Sequence, residues 1–250
     1  SLSLAKEVQQ HLLPHEAPTL RGFGIAGFSV YCDQTGGDYF DYIDLSNGKA
    51  ERLGIAIGDV SGHGIASALL MTTARALLRS SAGGSEELSD LMNHINGHLA
   101  RDTSSGRFMT LLYMVIGSGS QTLRWASAGN DPLFVYSPSS DVFDELTEGD
   151  IPLGIDPEWR FAAFEKDCLN DECIIIAGTD GIWETRNPEG EMFGKHGLQD
   201  VIRRHAHAPA AEICQAVRQA TIDFRTIRPQ EDDVTLVVVK ALPKPSPQAE

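Results

Sequence analysis

Little in this chain suits a soft metal or a disulfide framework. Its four cysteines, at 32, 168, 173 and 214, include no Cys-x-x-Cys pair, which argues against a zinc site or a small disulfide scaffold and fits a reducing compartment. Basic charge is scarce. Twenty Lys and Arg face 35 Asp and Glu, and the formal charge of −15 speaks against non-specific binding to nucleic acid or anionic lipid. No apolar run reaches the length of a membrane span, no signal peptide opens the chain, and there is no internal repeat or low-complexity block. The expectation is a cytoplasmic domain. Its first residue is not Met, so it can be a piece of a longer protein, including one attached to a membrane through a segment absent here.

What is present is a globular composition: 250 residues, 42% hydrophobic, enough for a full core in one large domain or two small ones. Leu4, Val8 and Leu12 fall four apart before Pro14, which predicts a short amphipathic helix over 1–14. A main domain is expected over 15–242 and a flexible tail over 243–250. Strand-like runs occupy 23–31, 38–45 and 51–58, and helices of about 64–81 and 86–101 follow, separated by an SSAGGS turn. Strands are then predicted in FMTLLYMVIG, QTLRWASAG, PLFVYS, the segment 159–165 and ECIIIAG. Helices over 195–206 and 209–225 precede a last strand in DVTLVVVKAL. Runs of strands with helices grouped between them indicate an α+β fold, two sheets covered by helices.

Several patterns mislead. GFGIAG at 22–27 matches G-x-G-x-x-G, yet prolines precede it and a strand follows it, the wrong context for a dinucleotide loop. GDVSG is not an esterase elbow, because Ser61 stands one place too late after Gly58. His94 and His98 share a helix face but lack a third ligand, and His205 with His207 ends a helix where dipole compensation explains them.

The remaining pattern is one of aspartates. Asp38 stands in TGGDYFDYIDL, Asp59 in IAIGDVSGHG, Asp180 in IIIAGTDGIWE, and Asp232 with Asp233 in EDDVTLVVV. Each lies at the end of a buried-looking strand, in a turn rich in Gly, Thr or acid. One such aspartate either caps a helix or holds something positive. Four such places, if their strands lie side by side, bring carboxylates together, and like charges at close range disfavour joint ionisation. Divalent cations remove that conflict. Oxygen donors without His or Cys suit Mg²⁺ or Mn²⁺ rather than zinc.

In order along the chain, GGDYFDYIDL, GDVSGHGIASALLM, FMTLLY, SAGNDPLFVY, IPLGI, TDGIWETRNPEGEMFG and EDDVTLVVV resemble the motifs of the PPM (type 2C) metal-dependent protein serine/threonine phosphatases. The likeness is to the bacterial SpoIIE- and RsbU-like branch and covers roughly residues 5–240, with AKEVQQHLLP similar to the helix before the catalytic domain there. The resemblance implies an αββα sandwich holding two Mn²⁺ or Mg²⁺ ions. By it, Asp59 bridges both ions, Asp38 and the backbone carbonyl of Val60 complete one, and Asp180 and Asp232 hold the other. Asp233 supports the set from behind. It further implies attack of a metal-activated water on phosphorus without a covalent enzyme intermediate.

Two positions depart from the pattern. His63 is displaced from the place of the histidine that follows Asp-Gly in eukaryotic relatives, and reads as a turn residue. Asn130 stands where bacterial relatives commonly have His. The implied partners are a phosphorylated STAS-domain protein (an anti-sigma-factor antagonist), a second copy of the chain bound through the N-terminal helix, and an upstream sensor domain. No nucleic acid is expected. Packing of that helix on its own domain is the alternative to dimerisation. The alternatives to a protein phosphatase are a catalytically weak domain of this type acting as a binding or sensing module, and a hydrolase of some other small phosphoester.

Overall fold

The computed structural model describes residues 2–48, 50–102, 106–170 and 172–243, so all of the expected tail but residue 243 lies outside the described residues. Among these, ten strands form two antiparallel five-stranded sheets. The first runs β1 (Phe23–Val30), β10 (Val234–Ala241), β9 (Ile174–Gly178), β6 (Leu133–Ser137), β7 (Val142–Leu146). The second runs β2 (Tyr39–Asp44), β3 (Arg52–Val60), β4 (Met109–Gly117), β5 (Thr122–Ala128), β8 (Phe164–Asp167). Helices α2 (Ile65–Ser81) and α3 (Leu88–Asp102) cover the second sheet, and α4 (Gly194–His205) and α5 (Ala210–Arg225) cover the first. Helix α1 (Leu2–Leu12) precedes them all.

Strands buried on both faces explain the near-continuous apolar runs in the sequence. In β3, Leu53, Ile55 and Ile57 point between the sheets, whereas Ala56 and Val60 point toward α2 and α3. In β10, Val237, Val239 and Ala241 face the second sheet, whereas Val234, Leu236 and Val238 meet α4 and α5. Period-2 alternation therefore feeds two cores at once. Each fully buried Val or Leu contributes about 1.5–3 kcal/mol relative to exposure.

One ionic anchor crosses this apolar packing. Asp41 in β2 is fully buried and accepts two hydrogen bonds from Arg79 of α2, at 2.6 and 2.7 Å, and one from the Tyr39 hydroxyl at 2.8 Å. Arg75 lies 3.7 Å from the same carboxylate and donates to the Leu12 carbonyl at 2.9 Å, tying the end of α1 to α2.

The structure corrects several expectations. Asp59 lies inside β3, opposite Thr110, rather than in the turn after the strand. Helix α2 matches the expected 64–81, ending at Ser81, and the turn after it begins as a short 3₁₀ segment over Ala82–Gly84. The strand expected over 159–165 is Phe164–Asp167. An additional edge strand, β7, carries the unremarkable VFDEL. As its context indicated, GFGIAG runs into β1 and forms no phosphate loop. The start of α2 is not buried as its apolar sequence suggests: Ile65 is 51% and Leu69 64% exposed.

Candidate active site

Sheet register brings the aspartates to one end of the sandwich. Tyr39 pairs with Gly58, so the next step along the β2–β3 ladder sets Asp38 beside Asp59. In the other sheet Leu236 pairs with Gly178, and Thr179 donates its backbone N–H to the Thr235 carbonyl at 3.0 Å. Asp180 follows directly, next to the start of β10, where Asp232 and Asp233 lie.

Each side chain has a distinct setting. Asp38 is 2% exposed, and its Oδ2 accepts hydrogen bonds from the hydroxyls of Thr179 at 2.7 Å and Thr235 at 2.5 Å. Asp233 is buried and occupied by backbone donors: Cys32 N–H at 2.8 Å, Gly37 N–H at 3.0 Å and Asp38 N–H at 3.4 Å. It therefore fastens the 32–38 loop to β10. Asp59 is half-buried, its own N–H held by Thr110 Oγ1 at 3.0 Å. Asp232 is exposed and accepts the Asp233 N–H at 2.8 Å.

The electrostatics are those of a carboxylate cluster. Burial first, then repulsion from Asp59 and Asp233, hold the Asp38 carboxyl well above its ordinary range, against the two threonine hydroxyls. Burial and then the charges of Asp232, Asp180 and Asp233 push Asp59 up to about 7. Burial followed by Asp232, Glu184 and Asp131 pushes Asp180 up to about 6. The charged groups acting on these three are all acidic. A set of this kind fits a hard cation, which would offset the repulsion.

The backbone fits too. A Cβ added to Gly37 would stand 2.7 Å from the Val60 carbonyl oxygen and 2.8 Å from Asp59 Oδ1, so these two oxygens share one glycine-lined recess. A side chain on Gly181 would collide with the Asp233 carbonyl. The set is nonetheless open: among the described residues no three His, Cys, Asp or Glu side chains stand together at metal-holding distance.

The matching family model is Stage II sporulation protein E (SpoIIE), over residues 49–242. The chain belongs to the SpoIIE family. Phosphoserine phosphatase RsbU of Bacillus subtilis (strain 168) is 26% identical over 239 residues, 96% of this chain and 69% of that protein. Two further curated relatives are matched over 41% and 57% of their own lengths. The SiaA-PP2C domain of Pseudomonas aeruginosa superposes with a TM-score of 0.81 at 21% identity, covering 96% of this chain and 95% of that one. RsbX in complex with magnesium superposes with a TM-score of 0.65 at 14% identity, covering 90% and 98%. The fold is thus that of PP2C-type SpoIIE phosphatase domains.

Other expected positions lie as follows. His63 is exposed in the turn before α2, and Asn130 donates to the Asp131 carbonyl at 3.1 Å. His94 and His98 contact each other edge-to-face, and His205 bonds the Val201 carbonyl at 2.9 Å. Sequence inspection missed Thr179 and Thr235, whose hydroxyls serve Asp38, and Asp131, which acts on Asp180 and pairs with Lys195 at 3.2 Å. It also missed Gln9. This α1 side chain is 3% exposed and clasps Gly36 twice, donating to its carbonyl at 2.7 Å and accepting its N–H at 3.1 Å. Its only mark in the sequence is a polar residue on the same helix face as Ala5 and Leu12.

Proposed function

We propose that this SpoIIE-family domain hydrolyses phosphoserine or phosphothreonine in a protein, with divalent metal bound by Asp38, Asp59, the Val60 carbonyl, Asp180 and Asp232. The observation that carries this reading is the convergence of carboxylates, from buried Asp38 to half-buried Asp59 and Asp180, mutually repelling and with only acidic charges acting on them, at one end of a PP2C-type sandwich. The donor set favours Mn²⁺ or Mg²⁺, and the resemblance to PPM phosphatases implies two ions. Bound there, such ions supply positive charge for the phosphoryl oxygens and acidify water at neutral pH. The chain's own residues do the rest. Thr179 and Thr235 orient Asp38, Thr110 fixes the Asp59 backbone, and Asp233 holds the 32–38 loop. Gly37 and Gly181 keep that space free of side chains.

The proposed substrate is a small phosphorylated signalling protein of the STAS, anti-sigma-factor antagonist type. A chain of charge −15 repels a phosphoprotein at long range, so recognition rests on contacts near the cleft. Short phosphopeptides are accordingly expected to be poorer substrates than the folded phosphoprotein. A second copy is the proposed partner for the exposed apolar face of α1 and α2, where Leu4 (59% exposed) and Val8 (57%) line a groove with Ile65 and Leu69. That α1 conveys the state of an upstream sensor domain is part of the same proposal.

Assay with p-nitrophenyl phosphate tests the core of it. Hydrolysis should require added Mn²⁺ or Mg²⁺, stop with chelator, and fall furthest in Asp59→Asn. Full activity in chelator, or in that variant, would refute the metal site.

A further inference from the structure

Helix α5 presents Arg218, Thr221, Ile222 and Arg225 at i, i+3, i+4 and i+7, one continuous face. That face lines a cavity of about 180 Å³. Arg186 and Glu184, from the segment after Asp180, and Asp232 also line it, and Phe28 and Val30 of β1 contribute apolar surface. Because Asp232 is shared, the cavity begins where the carboxylate cluster ends. It is much smaller than the roughly 300–1,000 Å³ of small-molecule sites and has room for one or two side chains.

Three guanidinium groups gathered here contrast with a chain of 20 basic and 35 acidic residues. Among the described residues Arg218 and Arg225 form no ion pair, and Arg186 donates from Nη1 to the Gly190 carbonyl at 2.8 Å. Compensation of the helix dipole accounts for Arg225 in the last turn of α5, but not for Arg218 two turns earlier or for Arg186 outside the helix. Three acids line the cavity as well. Glu231 pairs with Arg228 at 2.7 Å and Asp232 belongs to the proposed metal set, which leaves Glu184 as the one acid there with no such role.

We propose that this cavity receives an acidic side chain of the substrate polypeptide, close to the phosphorylated residue, and that Arg186, Arg218 and Arg225 determine that specificity. Arginine's planar fork matches a carboxylate bidentately, and apolar surface beneath it reduces screening. Positive charge placed here draws in the substrate chain locally while the rest of the surface remains acidic. The inference rests on the phosphatase reading above.

Two phosphoserine peptides of equal length test it, one with Asp and Glu flanking the phosphoserine and one with Asn and Gln. In the unaltered protein with Mn²⁺, kcat/KM should favour the acidic peptide by about three- to tenfold, mostly through KM. Their ratio cancels any effect common to both peptides. Arg218→Glu with Arg225→Glu should erase or invert the preference, and Arg218→Lys with Arg225→Lys should keep most of it. Equal kcat/KM in the unaltered protein, or a preference that survives charge reversal, overturns the proposal. If neither peptide is hydrolysed, p-nitrophenyl phosphate with Mn²⁺ decides the phosphatase reading separately: no hydrolysis of it either means that reading fails. Fluorescence anisotropy of the labelled acidic peptide then decides the cavity's role: binding lost on charge reversal supports it, and equal binding refutes it.

Discussion

Replacing Gln9 by Ala would remove two hydrogen bonds and leave the Gly36 N–H and carbonyl without partners in a buried place. Each lost bond is worth about 1 kcal/mol net, and each orphaned group costs about 1–3 kcal/mol until water reaches it. The docked arrangement of α1 on the 32–38 loop should therefore weaken by about 2–4 kcal/mol. Gly36 is two residues from Asp38, so the loss should reach the metal set. Supporting groups of this kind typically change metal affinity about 10- to 100-fold. The Mn²⁺ concentration for half-maximal p-nitrophenyl phosphate hydrolysis should rise by at least about tenfold, with the rate at saturating Mn²⁺ recovering most of its value. Hydrogen exchange should show α1 opening. Gln9→Glu should be no better, since it restores an acceptor for Gly36 N–H but adds negative charge near Asp38 and Asp233. An unchanged Mn²⁺ midpoint in a variant whose α1 exchanges freely would show that helix and loop are independent, and would refute the coupling.

Asp59 and Asp180 hold protons in the fold up to about 7 and about 6, well above the unfolded value near 4, so the folded state binds more protons across that window. In chelator, stability should then fall as pH rises from about 4 to 7, by a slope that Asp59→Asn reduces; thermal melts showing this contribution with the opposite sign would be incompatible. Adding Mn²⁺ should reverse that trend, because the ligands must be ionised to bind it. Arg79→Ala leaves the fully buried Asp41 with Arg75 at 3.7 Å and should cost about 3–5 kcal/mol, read as a lower midpoint in urea. Leu4→Asp with Val8→Asp should abolish self-association in analytical ultracentrifugation without unfolding the domain, as both side chains are exposed; unchanged mass would remove the dimer proposal.

Strand ends could be read because aspartate after an apolar run has few other uses there, and the register of two strand pairs then made the cluster unavoidable. Other parts depend on neighbours far away in sequence. Thr179 and Thr235 look like ordinary strand formers until β9 and β10 pair, and only then do both hydroxyls meet Asp38. Edge strand β7 escaped notice because only Leu146 of VFDEL is buried and the segment lacks a clear alternation of buried and exposed positions. The stripe of α1 left open whether Leu4 and Val8 pack on their own domain or face a partner; two hydrogen bonds to Gly36 turn Gln9 inward and leave both apolar residues outside.

The position of β10 has a consequence for biosynthesis. Phe23 pairs with Ala241 and Val30 with Val234, so a strand made at the beginning waits for one made near the end. Two of the site's aspartates arrive with that late strand. A nascent chain has β1 and β9 with unpaired edges and no complete centre, and closing so long a loop is slow. Until β10 inserts, both edges are open to neighbouring chains, the stage at which such topologies aggregate. The carboxylate set is consequently completed in one step, when β10 and the aspartates before it join the sheet.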